Sequence, residues 1–322
     1  MSAIQEAPEQ VSALLDDFLQ QVPPDLDGRV DSLETLRRLG LADDGAAPCW
    51  ETLLPGEWFA LLRGLGCRAP ALASALLALR WATSCAAEAV SPDAPDAPEA
   101  ECHLLLPAPP AQAPAWRFVA HGWIGQASTG ALTGLAQMGG LYGVRVAAHR
   151  VTWLRPQTQA EARARFCDLL ALNGGILWRL LDRTVEHVTE RPLFGRCLID
   201  FPAIQLRLSA LQLRVLAAEE VAELLARQPS GALRAQWWRE LNAIRIEAQQ
   251  LCGGTGYMRE SAFAQTLRWH EWGELLLRQC AHAEQGGPAG EVMHAALRER
   301  VRRRLAQSCG PDAGLATRWM PA

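Results

Sequence analysis

Three short segments carry side chains that could do chemistry. In QQLCGGTGYMRE, Gln250 stands one turn ahead of the adjacent glycines Gly253 and Gly254. A carboxamide that can donate and accept, beside backbone N–H groups with no Cβ in the way, suits close approach to a polar ligand. Further upstream, ERPLFGR places Arg191 at the end of a helical pattern with Phe194 just after it. An arginine fork grips phosphate oxygens at two points, so Arg191 suits a phosphate or pyrophosphate. In EWGELLLR, residues 271 to 278, Glu271 and Glu274 are carboxylates that could move a proton. Taken singly, these residues read equally well as a helix-end charge, a core plug, a C-cap and a solvated helix face.

Other chemistry is excluded by composition. All 31 basic residues are arginine, and the 322-residue sequence contains no lysine. A Walker A lysine, a Schiff-base lysine and a lysine general base are therefore out of the question. Every anion contact has to come from arginine or from backbone N–H groups. The formal net charge of -4 offers no broad positive field for nucleic acid. Seven histidines show no HExxH pair and nine scattered cysteines show no CxxC, so no metal site is expected. Odd, unpaired cysteines point to free thiols in a reducing compartment, with the cytoplasm as the default. The acidic N-terminus leads into no apolar segment of a secretory signal, and no run is long enough to span a bilayer, so no membrane partner is expected.

The elements that must position these residues fall into three zones, expected as domains at 1–90, 91–157 and 158–322. In the first, apolar residues recur at helical spacing, among them Trp58, Leu61, Leu62, Leu72, Leu76 and Leu77. The second opens on the Pro- and acid-rich SPDAPDAPEAE and continues with β-prone runs at CHLLLP, WRFVAHGWI and YGVRVAAHRVTWL, enough for a small sheet. Residues 144–154 read as one extended strand. The third is helical throughout: 160–190, 200–227 with Pro202 in its first turn, 231–252 closed by the glycine pair, 267–283 and 290–307. The expected fold is mainly α, with a helical N-terminal domain, a reduced β-domain and a C-terminal four-helix bundle with an extra terminal helix.

In their order and separation, ERPLFGR, DFPAIQLRLSAL and QQLCGGTGYMRE resemble the C-terminal domain of the acyl-CoA dehydrogenase superfamily. LRRLGL at 36–41 and GGLYGVRVAAHRVTWLRP at 139–156 are similar to parts of its N-terminal and middle domains. The resemblance implies FAD as cofactor, with Arg191, Phe194, Gln250, Gly253 and Gly254 as its binding residues across a subunit interface. It implies α,β-oxidation of an acyl thioester, carried on CoA or on a carrier protein. It also implies a homo-oligomer, or a hetero-oligomer with a homologous dehydrogenase.

The sequence departs from the family at several points. The T-E-P-x-x-G-S-D segment that contacts the flavin ring is missing, the middle zone is short, and Pro202 replaces a glutamine. The family's catalytic glutamate aligns without gaps on Leu277; a short deletion brings Glu271 onto it, with Glu274 a turn further on. The other family position for the base falls on Arg165, with Asp168 one turn away. These departures leave two readings open: an FAD-dependent dehydrogenase using Glu271, or a catalytically silent subunit that completes the flavin site of a homologous partner.

Overall fold

The computed structural model describes residues 17–20, 22, 32–39, 41, 53–84, 102–106, 115–120, 123–138, 141–228, 231–258 and 260–279. The Pro- and acid-rich segment at 91–101 and the helical pattern at 290–307 lie outside them. Two compact units divide the chain: Met1–Arg183 with Gly254–Ala283, and Thr184–Gly253 with Glu284–Ala322.

The first unit begins with helices α1 (Ser32–Arg38), α2 (Pro55–Arg68) and α3 (Pro70–Ser84). Pro55 opens α2, where its missing N–H costs nothing, and the Glu57 carboxylate accepts the Leu54 N–H at 2.8 Å. Trp58, Leu61, Leu62 and Leu65 form the buried stripe that the spacing anticipates. Burying each such side chain contributes roughly 1.5–3 kcal/mol before its entropy cost is counted.

Six strands follow in two antiparallel sheets. β1 (Cys102–Leu106), β5 (Leu141–Val146) and β4 (Leu132–Met138) make one, in the order β1-β5-β4. β2 (Ala115–Ala120), β3 (Trp123–Ser128) and β6 (Thr152–Pro156) make the other, in the order β2-β3-β6. The period-2 alternation puts Cys102, Leu104 and Leu106 on the same face of β1. They pack with Val144, Val146, Phe118 and Ala127 in one core that draws on both sheets.

The single strand expected over 144–154 is two strands in two sheets. Val146 ends β5, a 3-10 turn covers Ala148–Arg150, and Thr152 begins β6. The turn is closed by Arg150 N–H donating to Ala147 O at 2.8 Å. Alternation continues across it, which is why the two halves read as one. In strand β4, Gly134, at φ 65°, sits in the irregular register between Thr133 and Ala136.

Helix α4 (Gln159–Glu190) starts on a reciprocal capping box. Glu161 N–H donates to Thr158 Oγ1 at 3.2 Å, and Thr158 N–H donates to the Glu161 carboxylate at 2.8 Å. Arg155 clamps that carboxylate with bonds of 2.8 and 2.9 Å, which holds the Glu161 pKa down to about 2. Farther along, Gly175 abuts the Arg63 carbonyl, and Gly66 lies so close to α4 that a Cβ there would stand 2.8 Å from Leu172 O. The α2 and α4 backbones therefore touch where only glycines fit.

In the second unit, α5 (Pro202–Arg227) pairs with α6 (Gly231–Cys252). Leu208, Leu211 and Val215 are buried on α5, as are Leu233, Trp237, Leu241, Ile244 and Ala248 on α6. These buried residues recur at helical spacing on each helix, and Ile204, one turn before Leu208, is half-buried. Arg207 with Glu247 (2.6 Å) and Arg214 with Glu240 (3.5 Å) pair the two helices at heptad spacing. Helix α7 (Ala262–Gln279) belongs to the first unit and starts five residues before the expected 267. Ser261 caps it by accepting the Ala264 N–H at 3.0 Å. Among the described residues no helix is long and apolar enough to cross a membrane.

Candidate functional site

Arg191 follows the last residue of α4 and is exposed. Its carbonyl accepts the Leu198 N–H at 2.9 Å, which folds the next six residues into a hairpin of β7 (Pro192–Leu193) and β8 (Arg196–Cys197). The two-residue tip is Phe194–Gly195, with φ of 51° and 77°. Two successive positive φ values are the backbone of a type I′ hairpin turn, which favours Asn-Gly. A phenylalanine at the first position is strained, and its ring is 90% exposed. Its expected alternative role as a core plug is thereby excluded. One turn before Arg191, burial and the neighbouring guanidinium together hold the His187 pKa below the usual imidazole value. At neutral pH this imidazole adds no charge of its own beside Arg191.

Gln250 is exposed in the last turn of α6. Its Oε1 accepts from Arg207 Nη2 at 3.4 Å, while Arg207 Nε donates to Glu247 Oε1 at 2.6 Å. Behind it, Cys252 is buried with Sγ 4.0 Å from Thr184 Oγ1 on α4. That contact sets the end of α6 beside α4 two turns before Arg191. Burial raises the Cys252 thiol to about 11 and the Cys167 thiol to about 12, so neither is poised as a nucleophile. After α6 the chain enters a 3-10 turn over Gly253–Tyr257. Gly253 has φ 54°, and a Cβ at Gly253 or Gly254 would meet no atom within 4 Å. The glycine pair therefore leaves open space beside exposed backbone.

The candidate binding residues Arg191, Phe194, Gln250 and Gly253 belong to the second unit, and Gly254 opens the last segment of the first. The candidate carboxylates belong to the first. Glu271 is exposed and Glu274 half-buried. Helix α7 is held by its other faces: the Trp272 ring lies against Gly143 of β5, and Gly273 leaves room for the Asn173 amide of α4, whose Oδ1 a Cβ would approach at 2.6 Å. Leu277 is fully buried.

Asp168 is buried inside a cage the sequence did not disclose. Trp58 Nε1 donates to its Oδ1 at 2.7 Å, Trp81 Nε1 to its Oδ2 at 3.3 Å, and Arg80 Nε stands 3.9 Å away. The Arg80 guanidinium lies 4.1 Å over the Trp58 ring, and that of Arg165 lies 4.4 Å over Trp81. Burial holds the Asp168 carboxyl above the usual range, against the pull of Arg80, the two indoles and Arg165. A carboxylate committed to two indole donors is an anchor for α2 and α3 on α4 and has little freedom to take a proton from a substrate.

Residues 162–276 match the family model of the acyl-CoA dehydrogenase C-terminal domain. The segment from 162 to 276 is thus similar to an acyl-CoA dehydrogenase C-terminal domain. The fold of the chain is also similar to that of solved acyl-CoA dehydrogenases. Against a chain of the ChsE4-ChsE5 complex from Mycobacterium tuberculosis the TM-score is 0.58 at 14% identity, covering 95% of this chain and 99% of that one. Against butyryl-CoA dehydrogenase from Megasphaera elsdenii it is 0.52 at 13% identity, covering 94% and 99%. Against a glutaryl-CoA dehydrogenase from Mycobacterium smegmatis in complex with FADH2 it is 0.52 at 14% identity, covering 86% and 92%. At these identities the likeness is one of fold. No curated protein matches the sequence.

Proposed function

We propose that this chain is a divergent member of the acyl-CoA dehydrogenase superfamily and a subunit of a flavin-dependent acyl-thioester dehydrogenase, and that it lends Arg191, Phe194, Gln250, Gly253 and Gly254 to FAD at an interface with a homologous subunit. The observation that carries the reading is Phe194. A large ring held in a left-handed turn and almost wholly exposed costs stability in the lone chain, and such strain is kept where a contact repays it.

The residues fit the phosphate side of a dinucleotide. Arg191 supplies a fork for pyrophosphate oxygens, and the open space at Gly253 and Gly254 lets backbone N–H groups come close. Phe194 offers a face for packing. Bound FAD would accept the hydride that leaves the β-carbon of the acyl thioester, on CoA or a carrier protein, in the cytoplasm. The α-proton needs a carboxylate, and here the candidates fit poorly: Asp168 is caged, and Glu271 is exposed on α7. We therefore assign proton abstraction to the partner subunit. That a solved neighbour is itself a complex of two proteins is consistent with this division.

Flavin absorbance and acyl-CoA bleaching, measured on the protein purified alone and with copurifying subunits, test the reading. A colourless lone chain whose complex binds FAD, and loses it on Arg191→Ala, is expected. Stoichiometric flavin on the lone chain, bleached by an acyl-CoA and no longer bleached after Glu271→Gln, would instead make it a dehydrogenase with its own base.

A further inference from the structure

We infer that Arg207 is a positioning residue for Gln250, fixing the carboxamide so that its NH2 group faces outward as a donor to an acceptor oxygen or nitrogen of the bound nucleotide. The inference rests on the reading of Gln250 as a flavin-nucleotide ligand and goes beyond it in naming what orients the side chain and which kind of atom it meets.

A terminal carboxamide on a solvent-exposed helix end has two orientations of similar energy, one presenting oxygen and the other presenting NH2. Here the choice is made from α5. Arg207 has only donors, and its guanidinium faces Gln250 at 3.4 Å through Nη2. Turning the amide over would set NH2 against N–H, donor against donor, so Oε1 faces Arg207 and Nε2 points away from it. Arg207 cannot swing aside freely, because its Nε is bonded to Glu247 at 2.6 Å, one turn before Gln250 on the same helix. One planar fork thus spans two acceptors, a carboxylate and an amide oxygen, a task that a single ammonium group performs poorly. The fork is 40% exposed and the Glu247 side chain 29% exposed, so the pair is worth little as a stabilising salt bridge. Its geometric effect on Gln250 remains.

The same helix pair contains its own control. Arg214 and Glu240 also pair α5 with α6, and no contact from Arg214 to a candidate ligand residue is among the described bonds. A variant that only loosens the helix pair should behave alike at both positions.

The test uses the protein with its copurifying subunits, FAD as the probe, and flavin fluorescence quenching and thermal midpoint as readouts. Gln250→Ala should weaken FAD binding about 5- to 10-fold, the worth of one hydrogen bond. Arg207→Met should weaken it by a similar factor, and Arg207→Lys, which keeps the charge but cannot bridge, should not restore it. Combining Arg207→Met with Gln250→Ala should add no further loss, since both remove one interaction. Arg214→Met should leave FAD affinity unchanged. Losses that multiply in the double variant, full rescue by lysine, or an equal loss from Arg214→Met would overturn the positioning role. If Gln250→Ala itself leaves affinity unchanged, it is the reading of Gln250 as a nucleotide ligand that fails.

Discussion

At the scale of single residues, Phe194 sets stability against function. Glycine or asparagine relieves the left-handed turn, so Phe194→Gly should stabilise the second unit by about 1 kcal/mol, seen as a higher midpoint in chemical denaturation. The same change should weaken FAD retention or subunit association, because the exposed ring is gone; a variant that is more stable and equally well assembled would show that the ring has no role there. The residue types at Arg191, Gln250 and the glycine pair, from which a phosphate site is proposed, stand in the sequence itself. The strain does not, because φ at a hairpin tip depends on how the Arg191 carbonyl closes onto Leu198. The partners of Asp168 were equally hidden: the Trp58 bond spans 110 residues of sequence, and no local pattern reports a contact of that range.

At the scale of elements, α4 gives two sharp expectations. Gly174 and Gly175 are neighbours within one helix, yet only the second meets another backbone. Gly174→Ala should stabilise the protein by about 0.5–1 kcal/mol through helix propensity. Gly175→Ala forces α4 off the Arg63 carbonyl and should destabilise it by roughly 1–3 kcal/mol, both read from denaturation curves. The capping box sets a pH dependence. Because Arg155 and Thr158 hold the Glu161 pKa down to about 2 from an ordinary 4.5, its contribution is present above about pH 4.5 and is lost as pH falls toward 2. Glu161→Gln should therefore lower the thermal midpoint at pH 7, and the gap to the parent should close on acidification. Helix periods and Pro202 were readable because an amphipathic stripe is a local pattern. The break at Ala148–Arg150 was not, since which sheet a strand joins is decided by its partners.

At the scale of the whole molecule, large apolar side chains meet solvent in both units: Leu54, Tyr257 and Met258 in the first, and Val185, Leu193, Phe194, Leu206, Leu213 and Ile246 in the second. Leu206 and Leu213, 72% and 38% exposed, lie two turns apart on one stripe of α5. A stripe of this kind fits a subunit contact. Leu206→Glu combined with Leu213→Glu should leave the secondary structure intact by circular dichroism and shift sedimentation to a lighter species; unchanged sedimentation would place the contact elsewhere. The composition foretold none of this, because exposure of a leucine is a property of the finished fold.

The first unit is discontinuous: its last segment, Gly254–Ala283, carries the Trp272 ring that lies against Gly143. On the ribosome the strands around Gly143 emerge long before that ring does. Until α7 is synthesised, the β5 backbone at Gly143 lacks its cover, and the nascent first unit waits on a segment encoded after the whole of α5 and α6. A messenger truncated ahead of residue 254 would release a chain in which that part of the core can never close.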